Sequence, residues 1–239
     1  MRTKIKQATT ISALLLLCTA ILSCLGGCTS EYTENLNRVF ETEYFCCISY
    51  DNQHVTILAL TEQGQKQTDY LIIPKEINGM EVTALGGEIE GGLAINRKQY
   101  WFSSSAKKVF LEGKDYILRI CRFAPETVII SQYYDSNCIK LLAEEKYSIC
   151  SVNNNGFSDY HQANIYYYNN YKNDDDLYCL DWINGNEAWS FPPAPVREGY
   201  NFCGWFTEKE CENVFLFDTQ ASELKTIILY AKWDLEMEK

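Results

Sequence analysis

The chain has 239 residues, of which 21 are Lys or Arg and 32 are Asp or Glu, giving a formal charge of −11. A surface of that sign repels nucleic-acid phosphate and anionic lipid, so neither is expected as an electrostatic partner. Hydrophobic residues at 46 % and aromatics at 14 % supply a core and exclude a chain that stays disordered for want of apolar surface.

The first segment sets the compartment. Arg2, Lys4 and Lys6 precede the apolar run "ISALLLLCTAILSCL", residues 11–25, which has the length of a signal h-region and falls short of the roughly 20 residues of a membrane span. It ends in "LGGC", Leu25 to Cys28. This stretch resembles a bacterial lipoprotein signal, in which small side chains precede the cut and the cysteine thiol behind it receives a diacylglyceryl group. Gly26 is a less common residue two places before the cysteine. The resemblance implies a signal peptide over 1–27, lipidation at Cys28, and an exported protein held on the extracellular face of the cell membrane by its lipid. A cut before Cys24 and an ordinary secretory signal with an incidental cysteine are the alternatives. Processing removes three basic residues and no acidic one, so the formal charge falls from −11 to −14.

Eleven cysteines thin out on inspection. Cys18 and Cys24 leave with the signal and Cys28 takes the lipid, leaving Cys46, Cys47, Cys121, Cys138, Cys150, Cys179, Cys203 and Cys211. An even number in an exported chain permits disulfides, but no CxxC pair is present and the pairing is not deducible. They are expected mainly as small core residues.

Residues 28–43 are polar and read as a tether, with room for some helix. "YFCCISYDNQHVTILAL", Tyr44 to Leu60, is rich in β-branched and aromatic residues and broken by "YDNQ", which predicts two strands and a hairpin turn. In "DYLIIPKEINGMEVTALGG", Asp69 to Gly87, Leu71, Ile72 and Ile73 make a short buried strand that Pro74 stops. Ile77 faces the core, Asn78 and Gly79 turn the chain, and Val82 and Leu85 open the next apolar ladder. This phrase resembles the opening unit of BspA-type leucine-rich repeats on bacterial surface proteins. Apolar clusters recur at 107–113, 126–131 and 147–152, and spacings near 20 residues suit a solenoid that adds one strand per repeat. The family's "AF-x-x-C-x-x-L" phrases are missing, and "RKQYWFSSS" (97–105) interrupts the register. The expectation for 44–160 is therefore a degenerate leucine-rich-repeat solenoid.

The pattern shifts after residue 160. Ile165 to Tyr168 and "LYCLDWI" (177–183) read as strands around the polar turn "NNYKNDDD". Then "FPPAP" (191–195) is a stiff extended linker, because proline fixes φ and donates no backbone hydrogen bond. In "REGYNFCGWF" (197–206), strand alternation places Tyr200 and Phe202 on one face, while Gly204 lets the chain bend before Trp205. A unit this small must bury large rings to be stable, so these aromatics are expected in its core rather than as a stacking platform. "TIILYAKW" (226–233) reads as a strand fit for a sheet edge.

Together "P-x-R-x-G-Y-x-F-x-G-W-F" at 195–206, "F-x-F-D" at 215–218 and "L-Y-A-K-W" at 229–233 resemble a Listeria–Bacteroides repeat, also called the internalin B-repeat. The resemblance implies a small β-grasp-like module over 163–239 that serves as a spacer or interaction unit rather than a catalyst. Arg197, Gly199, Tyr200, Phe202, Gly204, Trp205, Phe217, Leu229, Tyr230 and Trp233 fill its signature positions. The loop 169–190 is longer than usual, and Cys203 stands where the family often has a small residue. Strands, turns and aromatic core all lie within 163–239, so this segment is expected to fold alone.

Catalytic patterns are missing from the sequence. His54 and His161 are its only histidines, and no HExxH, GxSxG or Gly-rich phosphate loop occurs. "NDDD" (173–176) lacks the glycine and closing glutamate of a calcium loop and reads as a solvated turn. No cofactor and no metal are expected. The overall expectation is a mainly β, lipid-anchored surface protein that binds an unknown protein or glycan and is not an enzyme. An exported enzyme or enzyme accessory, with a site that no motif reveals, is the alternative. The register break gathers Tyr100, Trp101 and Phe102, which are expected on a loop that contacts the ligand.

Overall fold

The computed structural model describes residues 38–89, 98–171, 176–183, 191–216 and 226–236. The chain is mainly β. Strand β1 (Val39–Glu41) pairs antiparallel with β2 (Phe45–Ile48), which pairs antiparallel with β3 (His54–Leu60). The end of the expected tether is thus strand, because Val39 and Phe40 have apolar neighbours to pack against. The turn between β2 and β3 is closed by Asp51, whose carboxylate accepts the backbone N–H groups of Gln53 and His54 at 2.8 Å each. Helix α1 (Glu62–Gln65) is one turn capped by Thr61, whose hydroxyl accepts the Gly64 N–H at 3.1 Å.

Next come β4 (Tyr70–Ile73), β5 (Glu76–Ile77) and β6 (Met80–Leu85), with β5 and β6 joined by Asn78-Gly79 at φ 52° and 76°. Positive φ at both central residues is the condition of a type I′ hairpin, which Asn-Gly meets at least steric cost. The hairpin β7 (Gly87–Ile89) and β8 (Lys98–Tyr100) follows. The chain continues through β9 (Phe102–Ser104), β10 (Lys108–Leu111), β11 (Ile117–Leu118), β12 (Cys121–Phe123) and β13 (Val128–Ile130). Helix α2 (Asn137–Glu144), capped by Ser136, then leads into β14 (Ser148–Ser151) and β15 (Tyr160–Gln162).

These strands stack into parallel ladders. One runs β4, β10, β13, β14, β15, with Tyr70, Lys108, Val128 and Ser148 in register. The two steps from 108 to 128 to 148 equal the spacing seen in the sequence. A second stack runs β3, β6, β11, and β9 pairs parallel with β12. Between the ladders lies a core of Leu71, Val109, Ile129 and Ile149 against Val55, Ile57, Val82, Leu85 and Phe102. Helix α2 adds Ile139 and Leu142 to it; its N-cap Ser136 and the spacing of Cys138, Ile139 and Leu142 on one face are its local signals in the sequence.

The last four strands form a mixed sheet in the order β17 (Leu177–Asp181), β16 (Ile165–Tyr168), β19 (Ile227–Leu235), β18 (Tyr200–Phe206). The strand expected at an edge, β19, is internal. It pairs parallel with β16 and antiparallel with β18, because Leu229 and Ala231 are buried and need neighbours on both sides. Alternating residues of the first ladder, Tyr70, Phe110, Ile130 and Cys150, share one hydrophobic cluster with Ile165, Tyr167, Cys179, Leu180, Trp205 and Leu229. The ladder is therefore covered on both faces, as parallel sheets generally are. This corrects the expectation that 163–239 holds its whole core within itself. Ala163 and Asn164 alone separate β15 from β16, and the Asn164 side chain bridges the N–H and C=O of Ile183. Among the described residues no helix is long and apolar enough to cross a membrane.

Candidate functional site

The three aromatics expected on one loop part company. Trp101 lies between β8 and β9 and is 61 % exposed. Phe102, the first residue of β9, is 0 % exposed and meets Phe123 edge-on at 5.9 Å, with its N–H bonded to the Ile120 carbonyl. Tyr100 pairs with Gly87 and packs against the small cluster of Ile48, Leu58 and Ile89. Alternation along the chain turns neighbouring side chains to opposite faces, so Trp101 faces solvent while Phe102 is core. Phe102 as a ligand contact is thereby corrected.

The signature residues of the last sheet build a core and a cation–π stack. Trp205 is buried against Tyr167 (centroids 4.8 Å) and Tyr178 (5.9 Å), and Phe202 meets Trp205 at 5.1 Å and Trp233 at 5.8 Å. Gly204 has φ 117° at the register shift between Phe202 and Trp205; this conformation suits glycine and lets the bulge swing Trp205 inward. The Arg197 guanidinium lies 3.8 Å from the Tyr200 ring centroid and 4.7 Å from that of Tyr171. Trp233 donates its indole N–H to the Asn169 carbonyl at 2.6 Å. Leu229 is buried, Tyr230 stacks on Tyr168 at 5.7 Å, and Gly199 takes φ 74°. Cys28 and Phe217 lie outside the described residues.

The seam between ladder and last sheet is built by residues outside the expected sites. Lys108, on β10, sits 2.8 Å from Asp181 on β17, with side-chain exposures of 14 % and 2 %. The same ammonium donates to the Trp182 carbonyl at 3.2 Å, and Tyr70 donates its hydroxyl to the Leu180 carbonyl at 3.0 Å. His161 stacks on Trp182 at 3.7 Å, and Lys75 bridges Glu112 at 3.6 Å and Asp176 at 3.5 Å. A lysine and an aspartate inside the apolar runs "KVFL" and "LYCLD" were the available signal.

All eight described cysteines are free thiols. Cys47, Cys138, Cys150 and Cys179 are buried, as expected of core residues, whereas Cys203 is exposed. Burial pushes the Cys47 thiol up to about 12 and that of Cys138 up to about 11, so both stay protonated and unreactive at neutral pH. Burial also holds Cys150 and Cys179 well above the usual thiol range.

No curated protein and no solved structure matches this chain. Residues 164–232, the segment whose aromatic signature closes over the ladder, match the family model of the Listeria-Bacteroides repeat domain.

Proposed function

We propose that the chain is a lipid-anchored cell-surface binding or adhesion protein without catalytic activity. In this reading residues 44–160 form a degenerate leucine-rich-repeat solenoid, supported by parallel strands that come into register at 108, 128 and 148. Residues 163–239 form a β-grasp-like cap, supported by the order β17-β16-β19-β18 with its first and last strands side by side. The observation that carries the proposal is the repeat match over 164–232, joined to an export leader that resembles a lipoprotein signal.

The repeat occupies one face of the ladder, so a protein or glycan partner approaches another surface. Trp101, 61 % exposed on a connection between strands of a rigid scaffold, is the aromatic best placed to meet it. The test uses cells that carry the full chain. Cys28→Ala is expected to release the protein into the medium or stall its processing, and Trp101→Ser to weaken adhesion to host-matrix and mucin surfaces without changing the melting temperature. Unchanged membrane retention with normal cleavage refutes the anchor, and unchanged adhesion refutes the placement on Trp101.

A further inference from the structure

We infer that the ligand met at Trp101 is a saccharide bearing a carboxylate, held jointly by the Trp101 ring and the Arg122 guanidinium. This deepens the surface-binding proposal and rests on its placement of the partner at Trp101.

Strand register puts the two side chains on one surface. Along the chain Trp101, Ser103 and Ser105 are exposed, while Phe102, Ser104 and Ala106 are buried. Strand β9 pairs parallel with β12, with Phe102 beside Cys121, Ser103 beside Arg122 and Ser104 beside Phe123. Residues in register on neighbouring strands share a face, and Phe102 and Phe123 belong to the core. Ser103 and Arg122 therefore point outward with Trp101, and Arg122 is exposed. From Trp101 to Arg122 is two residues along the strand and one strand across, ~6.6 Å and ~4.8 Å. A sugar ring lying on the indole reaches that guanidinium with its carboxylate. The Ser103 hydroxyl, between the two, is placed to meet a hydroxyl group of the ring.

Both principal groups are open to a ligand. Among the described residues the Trp101 ring has no aromatic or cationic neighbour, and the Arg122 guanidinium has no hydrogen bond or ion pair. The carboxylate on β7, Glu88, accepts from the Gln99 amide at 2.7 Å. Arg119 adds a second positive charge at this edge. Its Nη1 lies 3.8 Å from where a side chain on Gly87 would begin, and Gly87 pairs with Tyr100. Arg119 and Arg122 thus bracket Ile120, whose carbonyl accepts the Phe102 N–H at 2.9 Å.

Chemistry then selects the ligand. An unpaired guanidinium takes a carboxylate through two parallel N–H···O bonds, and an exposed indole offers a flat apolar surface to the C–H face of a ring. Together they favour a carboxylated sugar over a neutral one. Net charge sets the other bound. The rest of a chain of −11 repels a polyanion, so the patch suits a saccharide with a single terminal carboxylate.

The experiment titrates the full chain with sialyl-lactose and with a disaccharide ending in glucuronic acid, and follows the Trp101 indole N–H by NMR. The methyl esters of both acids, and lactose, are the neutral comparisons. At least one acid is expected to bind saturably and shift the Trp101 signal. Its methyl ester is expected to bind about tenfold more weakly, a difference of about 1.4 kcal/mol. Arg122→Gln and Trp101→Ser are each expected to weaken the acid by about tenfold as well, with no change in melting temperature. The inference is overturned if neither acid binds, if the ester binds as tightly as its acid, or if affinity survives Arg122→Gln. Cell adhesion that falls with Trp101→Ser while neither acid binds overturns the ligand class alone and leaves the adhesion reading standing. Loss of acid binding in Trp101→Ser with adhesion unchanged supports the inference and refutes that reading.

Discussion

At the scale of single residues, the structure converts isolated sequence features into partnerships. His54 looked solitary in the chain; in the β2–β3 turn its Nδ1 lies 2.6 Å from Asp51. Donation from the ring Nδ1–H to Asp51, together with the negative charge of that carboxylate, raises the His54 pKa above 6.5, and accepting this bond holds the Asp51 carboxyl well below 3.8. A raised histidine contributes fully below its unfolded value and loses that contribution as pH rises through the folded value. A depressed carboxylate contributes above its unfolded value and loses that contribution as pH falls. The turn is therefore held best between about pH 4 and pH 6.5. An NMR titration of the His54 ring should show a midpoint above 6.5 that moves down in Asp51→Asn; an identical midpoint in the variant would show that the pair does not form in solution. Trp205 makes the complementary point. Its place in "GYNFCGW" favours core over platform, and it is buried against Tyr167, Tyr178 and Phe202.

At the scale of elements, the seam between β10 and β17 turns on one ion pair. Lys108 and Asp181 are almost fully desolvated, a costly arrangement in which each charge depends on the other and on the Trp182 backbone, whose carbonyl accepts from Lys108 and whose N–H donates to Asp181. Removing one partner of such a pair strands the other, which typically costs about 3–5 kcal/mol. Lys108→Ala is thus expected to lose stability on that scale in denaturant unfolding, and Lys108→Met combined with Asp181→Leu to recover most of it. A loss below about 1 kcal/mol for the single change, the range of exposed pairs, would mean that water reaches the seam. The pair also explains the placement of polar residues within apolar strands. Each occupies a position where alternation points it at the other sheet, so the seam is specified by charge as well as by apolar contact.

At the scale of the whole molecule, the repeat and the ladder share a core. Tyr70, Phe110, Ile130 and Cys150 lie under the last sheet, and the two residues between β15 and β16 leave no spacer between the halves. Separating them would expose a continuous apolar face on each, larger than monomeric proteins ordinarily present to water. The full chain is expected to unfold in one calorimetric transition. The isolated 163–239 segment is expected to melt far below it, and the ladder segment ending at residue 162 to bind a hydrophobic dye or aggregate. Two independent transitions, or a 163–239 fragment as stable as the whole, would show that the seam contributes little.

Local chemistry was legible wherever neighbours in the chain are neighbours in space. Asn78-Gly79 marks its hairpin because only residues tolerant of positive φ turn there. The recurrence of "KKVFLEG", "ETVIIS" and "YSICSV" marks parallel strands because equal path lengths bring equal positions into register. The aromatic and glycine spacing of 197–206 marks the repeat for the same reason, since bulge and ring positions are fixed along one strand. What the tertiary structure alone decided is which faces are used up. Residues 70, 110 and 130 alternate like any half-buried strand positions, and nothing in their own segments says whether water or another sheet meets the second face. The internal place of β19, the burial of Phe102 beside exposed Trp101, and the pairing of Lys108 with Asp181 across 73 residues follow the same rule. Each depends on long-range packing, where the free energy of burying a surface rests on what lies opposite it and not on what lies next to it in the chain.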